Sequence, residues 1–311
     1  MAVLWRIFRE IFSTFWQFSY HLVVAIFNTF VPARFRQKDV AGEIVLITGA
    51  GSGIGRLMAL RFAALGCSVV LWDINNSNNE ETANQIREQG GQTTTYTCDV
   101  SDRRQINETV EKVKRHVGDV DILINNAGVV SGKLLTECSD DDIIKTMEVN
   151  IMSHFWTVKS FLPSMVERNR GHIVTISSAT AFVASSHLVD YCTSKSAAFG
   201  FNNALKEELR ILGKDGVHTT CVCPSVINTG MFDGFKIRYP WIIPYLEPEY
   251  TADKVVEAVR TNQQILILPR IVYGVPFLSW ILPGKCLTVL LQMLGSDECM
   301  ENFKGREKKN I

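Results

Sequence analysis

The residues best suited to move a proton are a tyrosine and a lysine four positions apart, Tyr191-Cys-Thr-Ser-Lys195. If residues 190–212 form a helix, an i,i+4 pair shares one face, and the Lys195 ammonium lies one turn from the Tyr191 phenol. A phenol titrating near pH 10 is protonated at neutral pH, whereas a cation within a few ångströms favours the phenolate and brings it into a useful range. Ser178 stands thirteen residues upstream, at the end of the strand-like run His172-Ile-Val-Thr-Ile-Ser-Ser178, and adds a hydroxyl. The Tyr/Lys spacing alone is a weak signal, because Tyr250-Thr-Ala-Asp-Lys254 repeats it. Thirteen residues before that second copy is Ile237, which can donate nothing, so the first copy is the candidate.

These side chains need a scaffold, and the chain supplies one upstream. Glu43-Ile-Val-Leu-Ile-Thr48 reads as a buried strand running into Gly49-Ala-Gly-Ser-Gly-Ile-Gly55, with a helix expected over 56–65. Strand, glycine turn and helix together make a dinucleotide fingerprint, since glycine lets the backbone approach a pyrophosphate resting on a helix N-terminus. The next strand, 67–73, ends in Asp73, 24 residues after Gly49, where a carboxylate can bond a ribose 2′-hydroxyl and repel a 2′-phosphate. Beyond it the chain alternates helices over 79–89 and 102–117, the latter with Ser101 as N-cap, with strands over 93–98 and 120–125. A long helix over 140–168 contains Asn150, a mediocre helix former whose presence there suggests a polar task at the site.

These residues resemble the short-chain dehydrogenase/reductase family over about residues 42–268. Thr48 to Gly55 matches the family's T-G-x-x-x-G-x-G turn, Asp99-Val100 its adenine-contacting pair, and Asn125-Asn-Ala-Gly128 its N-N-A-G. Asn150, Ser178, Tyr191 and Lys195 match its tetrad. One position departs: Ser225 follows Pro224 where the family usually has glycine, although the downstream Thr229 is present. The resemblance implies an α/β fold, a Rossmann-like doubly wound parallel sheet forming a single domain. It implies NAD as cofactor, held by Gly49, Ser52, Gly53, Ile54, Gly55, Asp73, Asp99, Val100, Asn126, Ala127, Gly128, Tyr191, Lys195, Pro224 and Thr229. Tyr191 would take the alcohol proton, Ser178 would steady the developing alkoxide, Lys195 would tune the phenol and bond the nicotinamide ribose, and Asn150 would hold a relaying water. No metal is called for: the histidines have no carboxylate or cysteine partner at ligand spacing, and His187 is as suited to the surface as to the substrate pocket.

Residues 1–38 read as a membrane anchor with a basic flank, 39–268 as the catalytic domain with an apolar substrate loop at 225–250, and 269–311 as an apolar segment with a basic tail. From Ile11 to Val31 no Asp, Glu, Lys or Arg occurs, enough helix to cross a core of about 30 Å. Thr14, Gln17, His21 and Asn28 nevertheless share a face opposite Phe and Trp, which equally suits a helix lying in the interface. The loop carries Met231, Phe232, Phe235, Tyr239, Trp241, Ile242, Ile243 and Tyr245, a lid over an apolar substrate, with Met231 and Phe232 as contacts beside Ser178 and Tyr191. Pro276, Pro283, Gly284 and Lys285 interrupt the stretch 271–294 and suit a surface-lying or pocket-covering element.

With 32 basic and 32 acidic residues, no positive excess draws nucleic acid. The eight cysteines lack C-x-x-C spacing and read as reduced thiols. The aromatic N-terminus with the cofactor acid resembles the family's epidermal retinol dehydrogenase group and its hydroxysteroid relatives. The expected reaction is therefore NAD-dependent oxidation of a lipophilic alcohol, all-trans-retinol to retinal. A 17β-hydroxysteroid or other lipid alcohol dehydrogenase is the alternative, and a non-catalytic membrane scaffold is the rival of another class. Weak positive bias at Arg34, Arg36 and Lys38, the terminal Lys308-Lys309 and the sequons Asn75-Asn-Ser77 and Asn107-Glu-Thr109 suggest an endoplasmic reticulum membrane protein. Its domain would be unglycosylated and face the cytosol; its oligomeric state stays open, a homo-oligomer included.

Overall fold

The computed structural model describes residues 2–305, so the terminal lysine pair Lys308-Lys309 lies outside the described residues. Residues up to Asp39 and residues from Val40 onward form two separate units.

The first unit is a helix, α1 (Ala2–Phe30). Ser13, Thr14, Gln17, Ser19 and His21 dilute its uncharged part. Among the described residues no helix is both long and apolar enough to cross a membrane.

The second unit is built on seven strands: β1 (Ile44–Thr48), β2 (Ser68–Asp73), β3 (Gln92–Thr97), β4 (Ile122–Asn125), β5 (Gly171–Ile176), β6 (Val217–Pro224) and β7 (Ile265–Leu268). All pair in parallel in the order β3-β2-β1-β4-β5-β6-β7. Runs such as Ile-Val-Leu-Ile in β1 are apolar on both faces because helices cover both. Helices α2 (Gly53–Ala64), α3 (Asn76–Glu88) and α8 (Pro248–Arg260) bury Met58, Phe62, Ile86 and Val255 on one face. On the other, α4 (Arg103–His116), α6 (Ser153–Arg168) and α7 (Val189–Ile211) bury Val110, Phe161, Met165 and Leu205. Strand order reverses between β1 and β4, and in such sheets the crevice beyond the carboxyl ends at that point takes the ligand.

Two expectations need correction. The N-cap of α4 is Asp102, whose carboxylate accepts the Arg104 and Gln105 amides, while Ser101 turns its hydroxyl to Asp99 at 2.7 Å. The long helix over 140–168 is not one α-helix. α5 (Asp140–Met147), started by a capping box at Ser139, passes through a π turn at Glu148–Met152 into α6. Asn150 sits in that turn, wholly buried. Inserting one residue into the helical ladder leaves the chain off its normal phase, and such turns recur at functional sites. Beyond β7, Pro283 separates α9 (Gly274–Ile281) from α10 (Gly284–Met293).

Candidate active site

A single cavity of about 1080 Å³ runs along the carboxyl edge of the sheet, from the glycine turn to α10. At its nucleotide end two sequence motifs form one unit. Thr48 Oγ1 accepts the backbone amides of Asn126 and Ala127 at 3.0 and 3.1 Å, and the Asn126 amide returns bonds to the carbonyls of Thr48 and Gly49. Gly49 and Gly53 adopt φ of +67° and +55°, the left-handed region that glycine enters freely. A Cβ on Gly55 would lie 2.1 Å from the Gly49 carbonyl oxygen. The first turn of α2 thereby presents backbone to the cavity through Gly53, Ile54 and Gly55, a setting that suits a pyrophosphate.

Asp73, at the end of β2, accepts the amides of Gly51 and Asn75, each at 2.8 Å, which fixes its carboxylate toward the cavity edge. The neighbouring cation Arg56 is committed to Glu81 at 2.9 Å and to the Gly51 carbonyl at 2.7 Å. Asp99 and Val100 also line the cavity. Burial opposes ionisation of Asp99, yet hydrogen bonds from Lys145 and Ser101 hold its carboxyl below the usual range. The residues fit a dinucleotide: a glycine cradle that a Cβ on Gly55 would fill, a helix N-terminus, and a fixed carboxylate at the end of β2 with Asp99 beyond the adjacent β3.

At the centre, β5 delivers Ser178 and the buried face of α7 delivers Tyr191 and Lys195. Ser178 Oγ accepts the Thr180 amide at 3.1 Å and donates to the Pro224 carbonyl at 3.4 Å, and its hydroxyl favours ionisation of the neighbouring Tyr191 phenol. Lys195 Nζ lies 5.7 Å from the centre of the Tyr191 ring and donates to the Ile176 carbonyl at 2.9 Å. The electrostatics depart from the simple expectation of a lysine-lowered phenol. Burial dominates and pushes the Tyr191 phenol up, with the Ser178 hydroxyl pulling against it. Burial also brings the Lys195 ammonium down to about 8. The pair is thus held near its ionisation threshold on the lysine side, and phenolate requires positive charge beside it.

Asn150 does not line the cavity. Its amide donates to the Val129 carbonyl at 2.9 Å and to Ser194 Oγ at 3.0 Å, and its Oδ1 accepts the Val129 amide at 2.8 Å. Ser194 in turn donates to the Tyr191 carbonyl at 2.7 Å. Both N–H donors being spent, a water can reach this side chain only through the remaining lone pair of Oδ1. Asn150 braces the turn after β4 against the catalytic helix.

Every other sequence-derived site residue lines the cavity, including Ser52, Pro224, Thr229, Met231 and Phe232. Ser225 has no left-handed φ, so a side chain is accommodated where the family's glycine would stand, and its amide bonds the Leu268 carbonyl at 2.7 Å. His187 is half-buried and off the cavity wall. In the substrate loop Met231, Phe232, Phe235 and Ile243 turn inward, whereas Trp241 is 81% exposed and Tyr245 staples the loop by accepting the Ile237 amide. Sequence reasoning missed Leu188, Val272 and Val275, and above all Leu291, Leu294 and Cys299. The interrupted apolar stretch was a signal for α10, but nothing local marks Cys299.

A dinucleotide cradle joined to a buried Ser/Tyr/Lys centre defines an oxidoreductase that uses a nucleotide cofactor. Residues 43–238 match the short chain dehydrogenase family, and the chain belongs to it. It is 42% identical to retinol dehydrogenase 10-B of Danio rerio, across 100% of this chain and 97% of that one. It is 46% identical to epidermal retinol dehydrogenase 2 of Homo sapiens, covering 88% and 89%, and 44% identical to short-chain dehydrogenase/reductase family 16C member 6 of Bos taurus, covering 94% and 92%. Among solved structures, a short chain dehydrogenase/reductase from Burkholderia phymatum in complex with NAD superposes with a TM-score of 0.71 at 26% identity, over 82% of this chain and 96% of that one.

Proposed function

We propose that the protein is an NAD-dependent dehydrogenase of a lipophilic alcohol, all-trans-retinol, which it oxidises to all-trans-retinal. The carrying observation is that one cavity holds both Tyr191 and Ser178 and the apolar side chains Phe232, Phe235, Ile243, Leu291 and Leu294. Relatives named retinol dehydrogenases, alike over nearly the whole chain, support the same substrate. NAD is the cofactor, favoured over its 2′-phosphorylated form by the carboxylate of Asp73. When bound, NAD would supply a nicotinamide as acceptor for the hydride of the carbinol carbon. Tyr191 as phenolate takes the hydroxyl proton, Ser178 donates to the alcohol oxygen, and protonated Lys195 makes the phenolate affordable in a buried site.

The test is an assay of the purified enzyme on all-trans-retinol, a steroid panel and long-chain alcohols, with NAD and NADP. Retinol with NAD should give the highest kcat/KM, and a steroid or NADP doing better would overturn the assignment. Tyr191→Phe should lose about a thousandfold in kcat while retaining NADH affinity, since general-base contributions alone reach about 10²- to 10⁴-fold. Tyr250→Phe, on the second copy of the motif, serves as the control with wild-type turnover.

We also propose that the chain works at a lipid surface, with the catalytic unit on the cytosolic side of the endoplasmic reticulum. In α1, Trp5, Phe8, Phe12, Trp16, Val23 and Phe27 share a helical face and are all exposed, which suits a helix lying in the interface. Phe277, Ile281, Val289 and Met293 on α9 and α10 are exposed as well. Protease treatment of intact microsomes with glycosidase digestion checks the orientation; a protected domain or a mass shift on deglycosylation would reverse it.

A further inference from the structure

Beyond α10 the chain does not leave the domain. Residues 295–305 run back over the substrate loop and are fastened to it by backbone bonds: the Lys236 amide to the Cys299 carbonyl at 2.9 Å, and the Lys304 and Gly305 amides to the Asp233 carbonyl at 2.9 and 3.3 Å. Arg238 clamps the start of this segment, pairing with Glu298 at 2.8 Å and donating to the Gln292 carbonyl at 3.1 Å.

Two glycines receive it. A Cβ on Gly234 would lie 1.8 Å from the Asn302 carbonyl oxygen, and one on Gly132, in the turn after β4, would lie 1.9 Å from the Phe303 ring. So close an approach leaves no room for any side chain at either position. The underside of the strap is apolar and joins the catalytic centre: Cys299 and Met300 are buried in one cluster with Leu188, Tyr191 and Cys192, against which Phe232 and Phe303 pack. The aromatic contacts form a chain. The Phe303 and Phe232 ring centres are 6.2 Å apart, and Phe232 meets the Tyr191 ring edge-to-face at 5.5 Å. Phe232 and Cys299 line the cavity; Phe303 stands behind Phe232.

We propose that this C-terminal strap is a wall of the substrate site and sets which lipophilic alcohols are accepted. Cys299 faces the alcohol directly and is a specificity-determining residue. Phe303 is a positioning residue: seated in the notch at Gly132, it fixes Phe232 against the catalytic phenol and so sets the room beside the reacting carbon. A bulky or rigid alcohol gains contact from a wall held in place, whereas a short flexible one gains little, so the strap acts on discrimination more than on the chemical step. This inference rests on the dehydrogenase reading above and adds a chain segment to it.

The experiment is a bump-and-hole series in the full-length enzyme, with all-trans-retinol and 1-hexanol as probes. Phe303→Ala should lower the ratio of kcat/KM for retinol to that for hexanol tenfold or more, through KM for retinol, while NADH affinity stays within twofold. Gly132→Ala in the wild-type background should do the same by expelling the ring. In the Phe303→Ala background it should cost no more than threefold further, because only its left-handed φ of +67° remains to be strained. A ratio within twofold of wild type in Phe303→Ala, or effects of the two substitutions that simply multiply, would overturn the proposal. Cys299→Phe keeps the strap's backbone bonds and narrows the cavity, so it provides a second measurement should Phe303→Ala not fold; an unchanged KM for retinol in that variant also overturns it. A wild-type enzyme inactive on every alcohol sinks the dehydrogenase reading, while an active one whose ratio ignores the strap sinks the strap alone.

Discussion

The two ends of the cavity are built on different principles. The nucleotide end is made of backbone: glycines hold the turn, and amides of Gly51 and Asn75 aim the Asp73 carboxylate. The substrate end is made of side chains drawn from the loop after β6, from α10 and from the strap, segments distant in sequence that only the fold brings together. A backbone site serves a ligand that never changes, and its tolerance for substitution is small. A side-chain site can be re-lined one residue at a time without disturbing the cofactor.

The sharpest way to break that contrast is to place one methyl group in the cradle. Gly55→Ala drives a Cβ to 2.1 Å from the Gly49 carbonyl and should weaken NADH binding more than about a hundredfold, or about 3 kcal/mol. Gly200→Ala in α7, where nothing lies within 4 Å, should leave binding unchanged and raise the melting temperature slightly. Fluorescence titration with NADH decides it; equal affinities in the two variants would dissolve the distinction.

At the junction of the two ends, buried Lys195 should make stability depend on pH. Its folded pKa, brought down to about 8 by burial, lies below the unfolded value, so the unfolded chain keeps its proton to higher pH. Stability from this group therefore rises between about pH 8 and pH 10.5, by about 3 kcal/mol at most. Buried thiols raised above their ordinary value, Cys98 to about 11 among them, work in the opposite sense above pH 9. The comparison is consequently with Lys195→Met in thermal scans of the cofactor-free protein: wild type should gain on the variant as pH climbs from 8 to 10, and a constant gap refutes the burial cost.

Asp73→Ala should narrow the preference for NAD over NADP by about 5- to 30-fold, the equivalent of one or two kcal/mol, measured as the ratio of kcat/KM values. The smallest effect belongs to the substrate end. Arg238→Ala loses a pair whose Glu298 side chain is 61% exposed and so screened by solvent, and KM for the alcohol should rise only about two- to fivefold with NADH affinity unmoved. A change in cofactor affinity instead would show that the two ends are not independent.

The same contrast explains what could be read from the sequence. The cradle, Asp73 and the Ser178/Tyr191/Lys195 centre follow from short-range spacing, because backbone geometry and a helical turn convert separation along the chain directly into position, whereas Asp99 was legible only through the family resemblance. The π turn at Asn150 was hidden, since an inserted residue leaves no mark in an apolar pattern. The N-cap moved by one residue because Ser101 and Asp102 are both good caps and Asp99 took the serine hydroxyl. Cys299 and Phe303 were invisible for a different reason: their neighbours Tyr191 and Gly132 lie more than a hundred residues away, and no periodicity records a tertiary meeting.

Asn75 carries a consequence for sorting. It begins an acceptor sequon, and in the fold it caps α3 through the Asn78 amide at 2.9 Å while standing on the cavity wall next to Asp73. A sugar tree attached there would sit at the doorway of the nucleotide. If the catalytic unit faces the cytosol as proposed, a copy delivered to the lumen would be silenced by the machinery that marks lumenal proteins, and such an error would yield an inert molecule instead of a misplaced activity.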